Sequence, residues 1–342
     1  MHAVVLDRTG GPDELHYREV DAPEPGEGEV LVRVHAVGVC GRDLIDRQGG
    51  FPMMKLPTVL GHEFAGEVIA VGTGVTGIST GDRVANLHRP FCGSCASCLV
   101  GEQVDCERAW QSFGHTIDGA YAQEVVAHER ALVKIPPEIP FAQAAPVGCT
   151  AGVALRALRH DAHLALGETI LITGASGGVG TPAIQIARHM GARVIAVTGS
   201  EKKAESLRAR GAHDVVVSPD GRFHQEVRRL SGGGVDVALE LTGSATFGSS
   251  LRSLRPRGRL SLIGNIQMDR ISVNPGAMIL YGYRIVGGHG YTPGDLADCF
   301  ELMRRGELEI AIDRTLPLEQ AADAHRLLAE RAVVGRIVLL PP

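Results

Sequence analysis

The chain has 342 residues, 44% of them hydrophobic and 21% charged, with 44 glycines and only 4% aromatics. That is the composition of a globular protein of about two domains, and it excludes a fibrous or disordered chain. The net charge of −5, without a long basic run, argues against non-specific nucleic-acid binding.

The first eleven residues carry no basic stretch leading into a long apolar one, so no secretory signal is read and a cytoplasmic protein is expected. Up to Val147 the chain is β-rich. Short β-branched or alternating runs at 3–6, 29–37, 67–71, 83–87 and 122–127 are separated by glycine and proline clusters. Many short strands at that spacing predict a partly closed barrel. The texture changes near Pro146. From Thr169 onward, near-continuous apolar strands (169–173, 193–197, 214–217, 235–241, 259–263, 284–286) alternate with helices (178–190, 202–210, 223–230, 247–254). That alternation predicts an α/β fold with a parallel, doubly wound Rossmann sheet covered on both faces. The charge-free stretch 169–187 contains Gly174, Gly177, Gly178, Gly180 and Pro182, and reads as strand, turn and helix rather than a membrane span. The tail adds helices at 293–305 and 318–331 and a strand at 336–340, and is predicted to return to the first domain. The expected division is 1–149 with 291–342 for a β-rich catalytic domain, and 150–290 for the nucleotide-binding one.

Seven cysteines, an odd number, point to metal or catalytic roles rather than a disulfide framework. Cys92, Cys95, Cys98 and Cys106 have the spacing C-x2-C-x2-C-x7-C, which can close a tetrahedral four-thiolate zinc site within one loop. Metal would supply folding energy that so short and polar a lobe lacks. An iron–sulfur cluster is the alternative, but the bacterial ferredoxin run has a different fourth spacing followed by proline. Cys40, His62 and Cys149 are dispersed. Together they would make an open zinc site, with Glu63 as an extra ligand and Asp43 orienting His62. Each alone reads equally as buried filler.

After the strand 169–173 comes Gly174-Ala175-Ser176-Gly177-Gly178-Val179-Gly180. Between a strand and a helix, such a turn lets backbone N–H groups approach a pyrophosphate. The end of the next strand carries Thr198, Ser200, Lys202 and Lys203 and no acid at the strand end itself, which favours NADP(H) over NAD(H). The opposing reading turns Glu201 inward to hold a ribose hydroxyl.

These constellations in this order resemble the zinc-containing medium-chain dehydrogenase/reductase superfamily over nearly the whole chain. The motifs include Gly61-His62-Glu63, Gly81-Asp82-Arg83-Val84, Asp118-Gly119-Ala120-Tyr121-Ala122 and Gly335-Arg336-Ile337-Val338. The resemblance implies a GroES-like catalytic domain beside the Rossmann domain. It implies catalytic zinc on Cys40, His62 and Cys149, with Glu63 near, and structural zinc on the four-cysteine lobe. It also implies nicotinamide contacts at Ile263, Gly264, Val286 and Gly287, with Arg336 reaching the pyrophosphate, and a homodimer or homotetramer acting on a small molecule.

Two positions depart from the alcohol dehydrogenase pattern. Arg42 stands where a relay Ser or Thr is usual, and Ile45 where some members have a relay His. A guanidinium cannot act as a base; it would bind an anionic substrate group or pair with a local carboxylate. The expected activity is hydride transfer between NADP(H) and an alcohol or carbonyl. Reduction of an enoyl thioester or quinone is the alternative, since Cys-Gly-Arg-Asp and the glycine turn resemble that side of the superfamily. A cofactor-binding protein without catalysis is a further reading, which the retained ligand set opposes. His88, His115 and His289 read as loop residues without partners, and His160 and His163 as part of a polar linker.

Overall fold

In a computed structural model of the chain, residues 1–342 are described except Pro52 and Trp110. The sequence offers the loops 51–56 and 110–115 as walls of a substrate pocket; Pro52 and Trp110 in them lie outside the described residues. The chain divides into two units: Met1–Gly152 with Gly290–Gly306 and Ile310–Pro342, and Val153–His289 with Glu307–Glu309.

The first unit is organised by the eleven-residue strand Glu29–Val39. Val30, Val32 and Val34 are buried on alternate positions, which fixes its register against the core. It pairs antiparallel with Phe64–Val71, Glu124–His128 and Arg336–Leu340 in a seven-stranded sheet. The tail therefore closes onto this unit. Its strand Ile312–Pro317, half polar and not anticipated from the sequence, lies parallel to Arg336–Leu340 at the sheet edge. Register matters here: Val39 faces Ile337 and Val37 faces Phe64. Cys40, Arg336 and Glu63 consequently collect at one end of three neighbouring strands. The strand at 64–71 begins three residues earlier than the sequence suggests, because Phe64 and Ala65 are fully buried in the sheet.

The expected linker after Pro146 is helical. Gly148–Gly152 and Ala157–Asp161 are wide helical turns flanking the α-helix Val153–Arg156. His160 and His163 are exposed there.

The second unit holds six parallel strands: Asp214–Val217, Arg193–Thr198, Thr169–Ile172, Val235–Glu240, Leu254–Leu262 and Arg284–Gly287, adjacent in that spatial order. Numbered along the chain this is 3-2-1-4-5-6, the doubly wound order. Leu171, Ile195, Ala238 and Leu260 fill its core, with Phe223 and Phe247 from the covering segments. A short helix the sequence did not suggest, Pro275–Tyr281, is capped by Asn274 and exposes Ile279 and Leu280. Among the described residues no helix is long and apolar enough to cross a membrane.

Candidate metal centre and nucleotide turn

Cys40 ends the strand Glu29–Val39 and caps the helix Gly41–Arg47, whose first turn supplies Asp43. Cys40 N–H donates to Asp43 Oδ2 at 2.9 Å, which folds the carboxylate back toward the strand end. His62 precedes the neighbouring strand. Asn86, from the next strand, holds its backbone on both sides: Nδ2 donates to His62 O at 2.8 Å and Oδ1 accepts from Phe64 N–H at 2.6 Å. His62 Nδ1 lies 2.9 Å from Asp43 Oδ1, and both side chains are almost wholly buried. With Nδ1 turned to a carboxylate, Nε2 is the nitrogen left for a metal.

Donor atoms of Cys40, His62 and Glu63 lie within 4.8 Å of one another, as do those of His62, His88 and Cys149. The structure thus gathers Cys40 and Cys149 around His62. Two thiols and an imidazole are a donor set that zinc accepts with a position open. Glu63 also has a partner within the chain. Arg336 grips it as a fork, Nη2 to Oε1 at 2.7 Å and Nε to Oε2 at 3.1 Å, and Nη2 also reaches Cys40 Sγ at 3.4 Å. Gly38 makes room for this: a Cβ there would sit 2.3 Å from Glu63 Oε2. Arg336 thus forms a buried ion pair with Glu63, its own side chain 6% exposed.

Burial alone would raise the Asp43 carboxyl, but His62 beside it and the Cys40 N–H outweigh burial and hold it at about 2. Burial opposes charge on His62; Asp43 and Cys149 reverse that and raise its pKa well above the ordinary value. Burial pushes the Cys40 thiol up, against the pull of Arg336.

Several contacts here were not read from the sequence, which marked Tyr121 only as part of the 118–122 motif. Tyr121 OH donates to Asp43 Oδ2 at 3.0 Å and lies 3.2 Å from His325 Nε2, 204 positions away. Tyr291 OH donates to Asn86 O at 3.2 Å, at the edge of the Cys149 turn. His88, read from the sequence as a loop residue without a partner, is drawn into the site. Its ring packs edge-on against His62 with centroids 4.9 Å apart. Its Nε2 lies 2.7 Å from Arg42 Nη1 and 2.9 Å from Ser112 Oγ. Burial, followed by the positive charge of His62 and Arg42, holds its pKa well below the ordinary value. Arg42 itself pairs with Asp46, Nε to Oδ2 at 3.2 Å, and lies over the Phe51 ring at 4.9 Å.

Cys92, Cys95, Cys98 and Cys106 converge with all four sulfurs within 4.8 Å. Cys92 and Cys98 sulfurs are 3.9 Å apart and those of Cys95 and Cys106 4.0 Å. Four sulfurs at 2.3 Å from a tetrahedral zinc would be spaced by roughly 3.8 Å. Backbone N–H groups of Ser94 and Cys95 donate to Cys92 Sγ at 3.4 and 3.3 Å, and they hold that thiol at about 5. The lobe fits a structural zinc.

In the second unit, the segment 174–180 joins the strand Thr169–Ile172 to the helix Gly180–His189. A Cβ on Gly180 would lie 2.5 Å from Ala175 Cα, so the helix start presses directly on the turn. Gly177 N–H donates to Gly174 O at 2.9 Å, closing the turn, which leaves Ala175, Ser176, Gly178 and Val179 between strand and helix. Thr198 ends the neighbouring strand. Ser200 N–H donates to its Oγ1 at 3.3 Å, and Glu201–Lys203 forms a single helical turn with Glu201 and Lys202 exposed. Ile263, Gly264, Val286 and Gly287 lie at the C-terminal ends of the last two strands, where ligands of doubly wound sheets bind. Glu240, fully buried, accepts from Thr173, Thr246 and Ser250 hydroxyls and from the Thr242 and Gly243 N–H groups. It rigidifies the strand ends beside the turn.

Two family profiles match the chain: an alcohol dehydrogenase GroES-like domain over residues 26–137 and a zinc-binding dehydrogenase domain over 178–305. An acryloyl-coenzyme A reductase of Sulfurisphaera tokodaii is 35% identical over 342 residues, spanning 100% of both chains. An alcohol dehydrogenase of Geobacillus stearothermophilus is 34% identical, spanning 99% of each. Among solved structures, that of AibC superposes with a TM-score of 0.94 at 44% identity, covering 100% of this chain and 96% of that one.

Proposed function

This chain belongs to the zinc-containing medium-chain dehydrogenase/reductase superfamily of oxidoreductases, and from that premise we propose that it reduces a carbon–carbon double bond conjugated to a carbonyl, with NADPH as the hydride source. The observation that carries this reading is Arg42. Alcohol oxidation requires a path for the hydroxyl proton, and two positions after Cys40 the chain offers a guanidinium already donating to Asp46 and close to His88. A guanidinium holds positive charge and accepts no proton, which suits an oxygen that gains negative charge. The full-length likeness to acryloyl-coenzyme A reductase agrees with it.

Bound zinc would supply a Lewis acid for the carbonyl oxygen, and bound dinucleotide the hydride. The chain's own part is positional. Cys40, His62 and Cys149 would hold the metal, Asp43 fixes the His62 ring, and Arg336 neutralises Glu63 beside Cys40. The 174–180 turn would receive the pyrophosphate on backbone N–H groups. The net change would be a hydride from the dinucleotide gained at the substrate β-carbon and a proton from water gained at the α-carbon. NADP(H) preference is supported by Thr198 and Ser200 at the strand end and by the exposed position of Glu201. Seven free thiols agree with a reducing, cytoplasmic setting. A homodimer or homotetramer is supported by the exposed Ile266, Met268, Val273, Ile279, Leu280 and Tyr281 of the second unit.

A second reading, reversible alcohol and carbonyl chemistry with the same cofactor, is favoured by Cys40 and Cys149 each lying beside His62. Initial rates with NADPH and NADH on crotonyl and acryloyl thioesters, beside primary and secondary alcohols and aldehydes, separate the two. Enoyl reduction with NADPH is the expected result. Turnover of alcohols or aldehydes alone would refute the first reading.

A further inference from the structure

The proposed reduction places negative charge on a carbonyl oxygen, and the first unit carries a group built to meet it. Arg42 is fixed on three sides: Asp46 takes its Nε, the Phe51 ring lies under its guanidinium, and Nη1 lies 2.7 Å from His88 Nε2. A guanidinium can only donate. His88 Nε2 must therefore present its lone pair to Arg42; Ser112 Oγ lies 2.9 Å from the same nitrogen. The ring proton is then on Nδ1. That atom is buried and finds no hydrogen-bond partner. A buried N–H left open beside the candidate metal centre marks a place that a ligand completes. One nitrogen of this ring lies within 4.8 Å of the donor atoms of His62 and Cys149.

We propose, resting on the reading of the metal centre above, that His88 is not a metal ligand but a hydrogen-bond donor, its Nδ1–H directed to the substrate's carbonyl oxygen and its tautomer set by Arg42. Ligation through Nδ1 would move the proton to Nε2 and set it against the Arg42 N–H at 2.7 Å. Donation from Nδ1 keeps the Nε2 lone pair for Arg42 and gives the buried Nδ1–H an acceptor. His88 transfers no proton: the hydrogen bond strengthens as charge moves to oxygen, so its effect falls on kcat. Arg42 acts through His88 and is a positioning residue. Of the two readings the sequence left open for it, an anionic substrate group or a local carboxylate, this one uses the carboxylate, Asp46.

Three measurements test this. With 15N-histidine labelling, the signals lost in His88→Phe identify the His88 ring in the wild-type protein. They should report a protonated Nδ1 and an acceptor Nε2, and Arg42→Met should abolish that preference. A protonated Nε2 in the wild type overturns the proposal. Cobalt-substituted wild type, His88→Phe and His88→Asn should share one visible ligand-field spectrum and one metal content. A shifted spectrum or lost metal makes His88 a ligand. On the preferred substrate, His88→Phe should lower kcat about 100-fold with KM changed less than about threefold. His88→Asn, whose amide N–H stands near the place of Nδ1, should recover to within about tenfold of wild type. Full kcat in His88→Phe overturns the proposal. Should the enzyme prove to turn over aldehydes and no enoyl thioester, the function above fails, while the tautomer and cobalt results judge His88 independently.

Discussion

Replacing Arg336 with methionine tests whether the Glu63–Arg336 pair holds the strand ends together. The fork spans 2.7 and 3.1 Å, and the side chains are 0% and 6% exposed. Methionine keeps most of the stem's volume and removes both donors. Glu63, 0% exposed, is left as an uncompensated buried carboxylate, at a cost of about 3–5 kcal/mol. For a unit of some 150–250 residues that is a fall in Tm of roughly 6–20 °C. Calorimetry and urea unfolding of the wild type, Arg336→Met, Glu63→Gln and the double variant measure it. The double variant should regain more than half of the loss, because neither charge then remains alone. A loss below about 1 kcal/mol for Arg336→Met, or a double variant as unstable as the sum of the singles, would refute the argument.

Asp43→Asn removes the negative partner of His62 Nδ1; zinc affinity by competition titration should fall about 10–100-fold, and an unchanged affinity would show that Asp43 does not orient the ring. Cys95→Ser opens the four-sulfur lobe; zinc content should fall by one equivalent and proteolysis should appear between Cys92 and Cys106, whereas a resistant lobe with full zinc would contradict the assignment. In the second unit, burial tends to raise the Glu168 carboxyl, but two hydrogen bonds from Arg259 at 2.8 and 2.5 Å and one from Ala165 N–H bring it below the ordinary value. A depressed carboxylate pKa stabilises above its unfolded value, about 4.3, and loses that contribution as pH falls through the lower folded value. Glu168→Gln should therefore cost about 1.5–3 kcal/mol near pH 7 and progressively less below pH ~4; a pH-independent difference would show that the charge is not what matters.

Some of the site was readable because its logic is local. The four-cysteine lobe closes within fifteen residues, so spacing alone carries the geometry. The 174–180 turn sits between one strand and one helix, and alternation of apolar strands with helices is enough to specify a parallel sheet. Glu240 shows the limit: on sequence it is one more acid after an apolar run, and only the fold surrounds it with five donors. His88 shows it more sharply. Its partners Arg42 and Ser112 are 46 and 24 positions away, with nothing in the spacing to connect them.

The order of residues determined the periodicities, the thiol spacing and the glycine turn, because each depends on neighbours within a strand, a loop or a helical turn. The tertiary structure decided the partners of Arg336, Glu63, Arg42 and His88. Those choices arise from the register of Arg336–Leu340 and Phe64–Val71 on Glu29–Val39, which brings residues nearly three hundred positions apart to one buried strand end. There, without water to satisfy them, charges and ring nitrogens must satisfy one another.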